Sequence, residues 1–316
     1  MLAYLKLFRW PNLVMIAIIQ YLTRYAIIVP MLQQQGFYPV LSDVHFAMLV
    51  LSTLFMAAAG YTINDYFDLR TDRINKPHKI ILGKKISRRT AILYHTLLNI
   101  SGVLLGIYLS LIVGRWPLIL VFLFIPTLLW MYSIRYKKKF LSGNLLVSFL
   151  SALTVFIVWA FEYHALGKTY SFAPETLATT DLTVKVFAMF AFITSLSREV
   201  IKDVEDIRGD AKTGCKTIPI VSGIRKTKIF LVSLQVIIMV FVAIFQYLLL
   251  VREFDLLFIY LFFFIQIPQI LVINNIIRAR EKVHYSILSG TTKWVMISGV
   301  FSMLFIYLYF QKGYML

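Results

Sequence analysis

Nine stretches of this chain each approach the run of about 20 apolar residues that a helix needs to cross the hydrocarbon core of a bilayer. They fall at 11–32, 45–64, 90–113, 117–134, 144–161, 183–200, 228–250, 255–277 and 289–310. In lipid a segment must satisfy its own backbone N–H and C=O groups, so runs of this length are expected to be helices. An all-α polytopic membrane protein of about nine transmembrane helices follows. Composition agrees, with 59% hydrophobic residues against about 45–50% in soluble domains. The opening MLAYLKLFRWPNLVMIAIIQYL lacks a small-residue cleavage site after its apolar core and is expected to remain as the first span. The lone Cys215 excludes an intramolecular disulfide, and no Cys/His cluster has the spacing of a zinc site.

A net charge of +17 raises the question of nucleic acid, but its distribution answers it. If the N-terminus is cytoplasmic, the inner connections are 65–89, 135–143, 201–227 and 278–288, and these hold nearly all the loop Lys and Arg. The outer connections carry little beyond Arg115, Lys168 and Arg252. Basic charge kept on one side is the ordinary signature of topology in a multi-pass protein. The expected location is therefore an integral membrane protein with its N-terminus and acid-bearing loops cytoplasmic, in the inner membrane if the cell is bacterial, and no nucleic-acid partner. No linker or low-complexity tract divides the chain, which reads as one domain over 1–316. Two long charged inner loops hint at related halves, roughly 1–140 and 141–316.

Acidic residues are few and concentrated. Eight of the fifteen lie in two stretches, 64-NDYFDLRTD-72 and 199-EVIKDVEDIRGD-210, each following an apolar span. On a helix, Asn64, Asp68 and Asp72 recur at i, i+4 and i+8, one above another on a single face. Asp203, Asp206 and Asp210 recur at i, i+3 and i+7 in the same way, with Glu199 one turn earlier. Stacked carboxylates repel, so such faces cost stability unless a cation occupies them. Mg²⁺ suits them: it is a hard ion that takes oxygen ligands and commonly joins a few carboxylates to substrate phosphates. Asn64, Asp68, Asp72, Asp203, Asp206 and Asp210 are the expected metal ligands. A diphosphate is the expected substrate group, and Arg70, Arg73, Lys79, Arg198 and Lys202 are candidates to hold its oxygens.

These stretches resemble the two motifs of the UbiA superfamily of intramembrane prenyltransferases. The first, 64-NDYFDLRTDRINKP-77, is similar to N-D-x-x-D-x-x-x-D with its D-x-x-N-x-P continuation; the second is 198-REVIKDVEDIRGD-210 followed by 214-GCKTIPI-220. Supporting pieces are 9-RWPN-12, 132-YSIRYKKKFLSGN-144 and Lys293. One segment departs: 79-KIILGKKIS-87 stands where relatives often read R-P-I-P-S-G-x-I-S. The form R-E-x-x-K-D-x-E-D-x-x-G-D is most similar to the (digeranyl)geranylglyceryl phosphate synthase-like branch.

The resemblance implies helices around a central cavity with a cytoplasmic cap carrying both Asp-rich motifs. It also implies Mg²⁺-dependent transfer of a prenyl group from an allylic prenyl diphosphate to a lipophilic acceptor, a prenylated glycerol phosphate in that branch. Asp68, Asp72, Asp203 and Asp210 would then be central to catalysis. Tyr132, Arg135 and Lys138 would lie near the diphosphate, Asn144 at the mouth of the fifth span, and Asn12 on the same cavity. Tyr61, one turn before Asp65, is the best single choice for stabilising an allylic cation. Two alternatives stay open at this point: an aromatic acceptor of quinone, tocopherol or chlorophyll type, and a membrane transporter. A transporter site, however, is expected near the bilayer midplane rather than at the cytoplasmic helix ends. Prenyl length and oligomeric state are not fixed by the sequence.

Overall fold

The computed structural model describes residues 2–171, 173–251 and 254–312; Arg252 lies outside them. The chain runs through α1 (Leu2–Leu7), α2 (Trp10–Gln34), α3 (Asp43–Asn75), α4 (Arg88–Val113), α5 (Pro117–Ile134) and α6 (Ser142–Thr169). It continues through α7 (Ala178–Glu205), α8 (Ile207–Lys212), α9 (Ile218–Leu250, interrupted at Gly223), α10 (Asp255–Arg278) and α11 (Lys282–Gln311). Among the described residues nine helices are long and apolar enough to cross a membrane, in agreement with the nine apolar runs.

Local chemistry sets several helix boundaries. Ser42 and Ser87 cap α3 and α4, accepting from the His45 and Thr90 backbone N–H groups. Within α2 the turn widens over Thr23–Ile28 before Pro30, and within α10 over Phe262–Gln266 before Pro268. Proline has no N–H to give and its ring crowds the carbonyl four residues back, so an extra residue in the preceding turn relieves the clash.

Helix lengths exceed what a bilayer requires. The 33 residues of α3 span about 50 Å at the α-helical rise, well beyond a hydrocarbon core of about 30 Å. The surplus, from Asp65 to Asn75, projects past the apolar run and carries the first acidic motif. Of the nine spans α3 is the most buried and α5 the least, so the motif sits on the central helix of the bundle.

The connections α3–α4, α5–α6, α7–α9 and α10–α11 gather at one end and bind one another. The Lys282 ammonium donates to the Asn75 carbonyl (2.9 Å), and the Lys216 N–H donates to the Lys138 carbonyl (2.8 Å). Thr71 donates to the Thr213 hydroxyl (3.2 Å). The divergent loop 79–87 is part of this cap. It closes as a tight turn, with the Gly83 N–H donating to the Ile86 carbonyl (2.9 Å), and buries Leu82 and Ile86 against Leu7 and Ala91.

Several polar groups inside the bundle find partners across helices, the expected arrangement where lipid offers none. Gln20 donates to Thr53 and to the Thr154 carbonyl; Gln235 donates to Ser197; Gln266 donates to the Met239 carbonyl and to Gln246. Arg24 is fully buried and pairs with the equally buried Glu162 (2.7 Å). Glu162 also accepts from the Val40 and Leu41 N–H groups, and Arg24 donates to the Leu41 carbonyl. This knot fastens the α2–α3 connection across the uncapped end. Glu162→Ala strands a buried guanidinium and is expected to destabilise the fold by about 3–5 kcal/mol. Thermal unfolding in detergent checks this, and the double substitution Arg24→Met/Glu162→Leu should recover part of the loss, the Val40 and Leu41 N–H groups still lacking their acceptor.

Candidate active site

A cavity of about 340 Å³ opens among α2, α3, α5, α6, α7 and α11. Aliphatic side chains such as Met15, Ile19, Met56 and Leu129 form most of its wall, with Phe122, Phe187 and Phe190 among them. Polar groups enter where it meets the cap: Asn12, Asn64, Tyr132, Arg198, Glu199 and Lys202. An apolar chamber with a charged mouth matches a long hydrocarbon ending in a charged head.

The first motif keeps its single face because α3 stays helical to Asn75. Asn64 Nδ2 donates to Asp68 Oδ2 (2.8 Å), one turn on. Lys137, on the α5–α6 connection, reaches the same carboxylate and the Asn64 side-chain oxygen. Asp65, turned away, pairs instead with Arg9 (2.7 Å). Arg9 holds a left-handed backbone (φ 52°) between α1 and α2, and its guanidinium lies 5.0 Å from the Tyr61 ring centroid. A cation therefore already covers one face of Tyr61.

The second motif departs from the expected continuous helical row. Helix α7 ends at Glu205, Asp206 forms the corner, and α8 resumes at Ile207. The Asn75 side chain binds this corner, donating to the Asp206 carbonyl (3.0 Å) and accepting from the Gly209 N–H (2.9 Å). Only glycine permits the approach, since a Cβ at 209 would stand 2.4 Å from the Asn75 amide oxygen. The three acids consequently take different surroundings. Asp203 Oδ2 accepts from Asn144 (2.9 Å), Asp206 pairs with Lys76 (2.5 Å), and Asp210 is buried.

The two motifs share one electrostatic environment centred on Lys137. Burial pulls the Lys137 pKa down, but the charge of the Asp68 carboxylate and its hydrogen bond overcome this, so the ammonium stays charged above the ordinary lysine range. Asp210 is pushed up to about 6 by burial, which Lys137 opposes and Asp206 and Asp68 reinforce. An acid from the second motif thus feels an acid from the first.

The UbiA prenyltransferase family model matches residues 25–284. The chain belongs to that family. Curated relatives include the digeranylgeranylglyceryl phosphate synthases of Methanobrevibacter smithii, 33% identical over 62% of this chain and 64% of that protein, and of Sulfurisphaera tokodaii, 36% identical over 60% and 63%. The matched part is thus somewhat under two thirds of those relatives' length. Among solved structures, that of digeranylgeranylglyceryl phosphate synthase in membranes superposes with a TM-score of 0.59 at 23% identity, covering 96% of this chain and 98% of that one. A UbiA homolog from Archaeoglobus fulgidus bound to DMAPP and Mg²⁺ gives 0.55 at 18%, covering 95% and 98%. The fold is shared along nearly the whole chain.

Family membership raises the question of a bound divalent cation. Among the described residues no three His, Cys, Asp or Glu side chains stand close enough to hold a metal alone. The donors are nevertheless all oxygen or amide, one Asp206 oxygen is buried without a partner, and a lysine ammonium stands against the carboxylate cluster. These residues fit Mg²⁺, which commonly completes its shell with water and substrate phosphates.

The basic candidates separate by position. Arg198 and Lys202 line the cavity. Arg70, Arg73, Arg135 and Lys138 are exposed; Arg73 is about 140° round α3 from Asp68 at the helical 100° per residue. The Lys79 side chain lies outside the described residues. It is Lys137, rather than Arg135 or Lys138, that the turn over Tyr136–Lys138 directs to the acids. Sequence reasoning also gave no role to Arg9 or Asn75, although 72-DRIN-75 already contained the asparagine that binds the second motif. Lys137→Met removes the internal counter-charge. Its melting temperature should fall below wild type in EDTA and regain most of the difference in Mg²⁺; an equal Mg²⁺ response in both proteins would count against a cation at this cluster.

Proposed function

We propose that this chain transfers a prenyl group from an allylic prenyl diphosphate to the hydroxyl of a prenylated glycerol phosphate, with Mg²⁺ as cofactor. The observation that supports the reading is an apolar cavity whose polar end is lined by Asn64 from the first acidic stretch and by Glu199 and Lys202 from the second. Its relatives support the choice of acceptor, since those described above are digeranylgeranylglyceryl phosphate synthases. The shared fold with a homolog bound to DMAPP and Mg²⁺ supports the choice of donor and metal.

Asn64, Asp68 and Asp72 on α3, with Asp203, Asp206 and Asp210 across the mouth, would hold the metal. When bound, Mg²⁺ supplies Lewis-acid neutralisation of the diphosphate charge. Lys137 is a fixed donor beside the same carboxylates and is placed to hydrogen-bond diphosphate oxygens. The cavity wall holds the prenyl tail away from water. In the transfer the acceptor oxygen bonds to C1 of the prenyl group, the bond from C1 to the diphosphate oxygen breaks, and the hydroxyl proton leaves. Glu199, among the described residues the one carboxylate lining the cavity, is placed to receive that proton.

The reading is tested by incubating purified protein with Mg²⁺, a panel of prenyl diphosphates, and either glycerol-phosphate ethers or aromatic acceptors, with products identified by mass. Prenylated glycerol phosphate should form, and Asp68→Ala and Asp203→Ala should each lower turnover by at least about a thousandfold while leaving a folded, inserted protein. Products from aromatic acceptors alone would overturn the acceptor assignment. No diphosphate release with any pair would overturn the enzyme class.

We further propose that the capped end faces the cytoplasm, because the basic connections gather there. A Lys85→Cys protein in a Cys215→Ser background should react with a membrane-impermeant maleimide only after the membrane is opened. Labelling in intact cells would reverse the orientation.

A further inference from the structure

Among the described residues four cations line the cavity, Arg9, Arg198, Lys202 and Lys293, against one carboxylate, Glu199. Two of the four are accounted for within the chain: Arg9 pairs with Asp65 and Lys202 with Glu199. Arg198 has only a loose contact with Glu199 at 3.5 Å, and its Nε is buried without a hydrogen-bond partner. Lys293 is half-buried on α11 inside the last span, and among the described residues nothing pairs with its ammonium. An ionisable side chain at such depth is costly, so two incompletely partnered cations facing one chamber call for an anion that the described residues do not supply.

Packing places these two at similar depth, away from the metal cluster. Helices α7 and α11 run in opposite directions, and their register is fixed where Phe190 lies against Gly299, a Cβ there standing 2.1 Å from the ring. Six residues toward the cap on each helix brings Lys293 level with Leu196, about half a turn from Arg198. That level is about 10 Å deeper than Asp203 along the helix axis. A diphosphate held at the acidic cluster therefore leaves this deeper pair unsatisfied. Lys293 also lies beyond the segment 25–284 that the family model matches.

We propose that Lys293 and Arg198 form a second anion subsite inside the cavity that binds the phosphate of the acceptor, separately from the donor diphosphate. The assignment rests on the prenyl-transfer reading above and explains how an acceptor with its own negative headgroup enters the chamber. The phosphate is anchored by two cations, leaving the acceptor hydroxyl to approach the donor carbon. A phosphate on a bilayer lipid has the same chemistry, so the test separates the two sources.

Equilibrium binding is measured in phosphatidylcholine nanodiscs with a geranylgeranyl glycerol ether carrying a phosphate and with the same ether lacking it. Wild type should bind the phosphorylated ether about tenfold or more tightly than the alcohol, Lys293→Gln should lose that preference, and Lys293→Arg should retain it. Arg198→Gln should reduce it, and affinity for the prenyl diphosphate donor should be unchanged in Lys293→Gln. Equal affinity of wild type for both ethers, or a preference intact in Lys293→Gln, overturns the subsite. Competitive displacement of the ether by phosphatidylglycerol added to the nanodisc would assign Lys293 to bilayer headgroups and also overturn it. Preferential binding without prenyl transfer leaves the subsite standing and refutes the enzymatic reading; transfer without preferential binding does the reverse.

Discussion

Carboxylates gathered at one end of a membrane bundle repel one another, and this chain opposes that repulsion with the Lys137 and Lys76 ammonium groups and the Asn75 amide. Lys137 supplies positive charge to Asp68 and, at longer range, to Asp210. Asn75 binds the corner at Asp206 and Gly209, fixing the second motif to the end of the helix that carries the first. With these contacts in place the two motifs pack together beside the polar end of the cavity, where a divalent cation would add to the positive charge that the lysines provide.

The rest of the bundle positions that mouth. Helix α3 is long enough to cross the apolar layer and still present three further turns beyond it, so its acids stand clear of lipid while its middle turns, from Thr53 to Asn64, line the chamber. The opposite end is fastened by Arg24 and Glu162, which hold the α2–α3 connection across the bundle. A charged entrance, an apolar interior and a fastened far end arise from different helices. Each follows from the same rule, that polar groups within a membrane must be paired or must serve a ligand.

Much of this was legible in the sequence because bilayer thickness imposes a length on apolar runs: 117–134 coincides with α5, and 90–113 lies within α4. Residues 45–64 marked only the apolar part of α3, since hydropathy stops where the acids begin while the helix continues. The single face of Asn64, Asp68 and Asp72 followed from helical spacing. The second row did not survive as one helix, because Gly209 and the Asn75 clamp turn the chain at Asp206. The run 135-RYKKK-139 could not show which lysine turns inward; that depends on a three-residue turn anchored by neighbouring loops. Arg9, quoted only within 9-RWPN-12, was given no role because its partner Asp65 is distant in sequence and lies on the face of α3 away from the expected metal ligands.

The central claim is that the two motifs act as one cation-dependent diphosphate site. The most direct measurement is equilibrium binding of a non-reactive allylic thiolodiphosphate to the purified protein, with and without Mg²⁺. Saturable binding that requires Mg²⁺ and is lost equally in Asp68→Ala and Asp203→Ala is the predicted result. Tight binding in EDTA, or binding that survives loss of either motif, would contradict it.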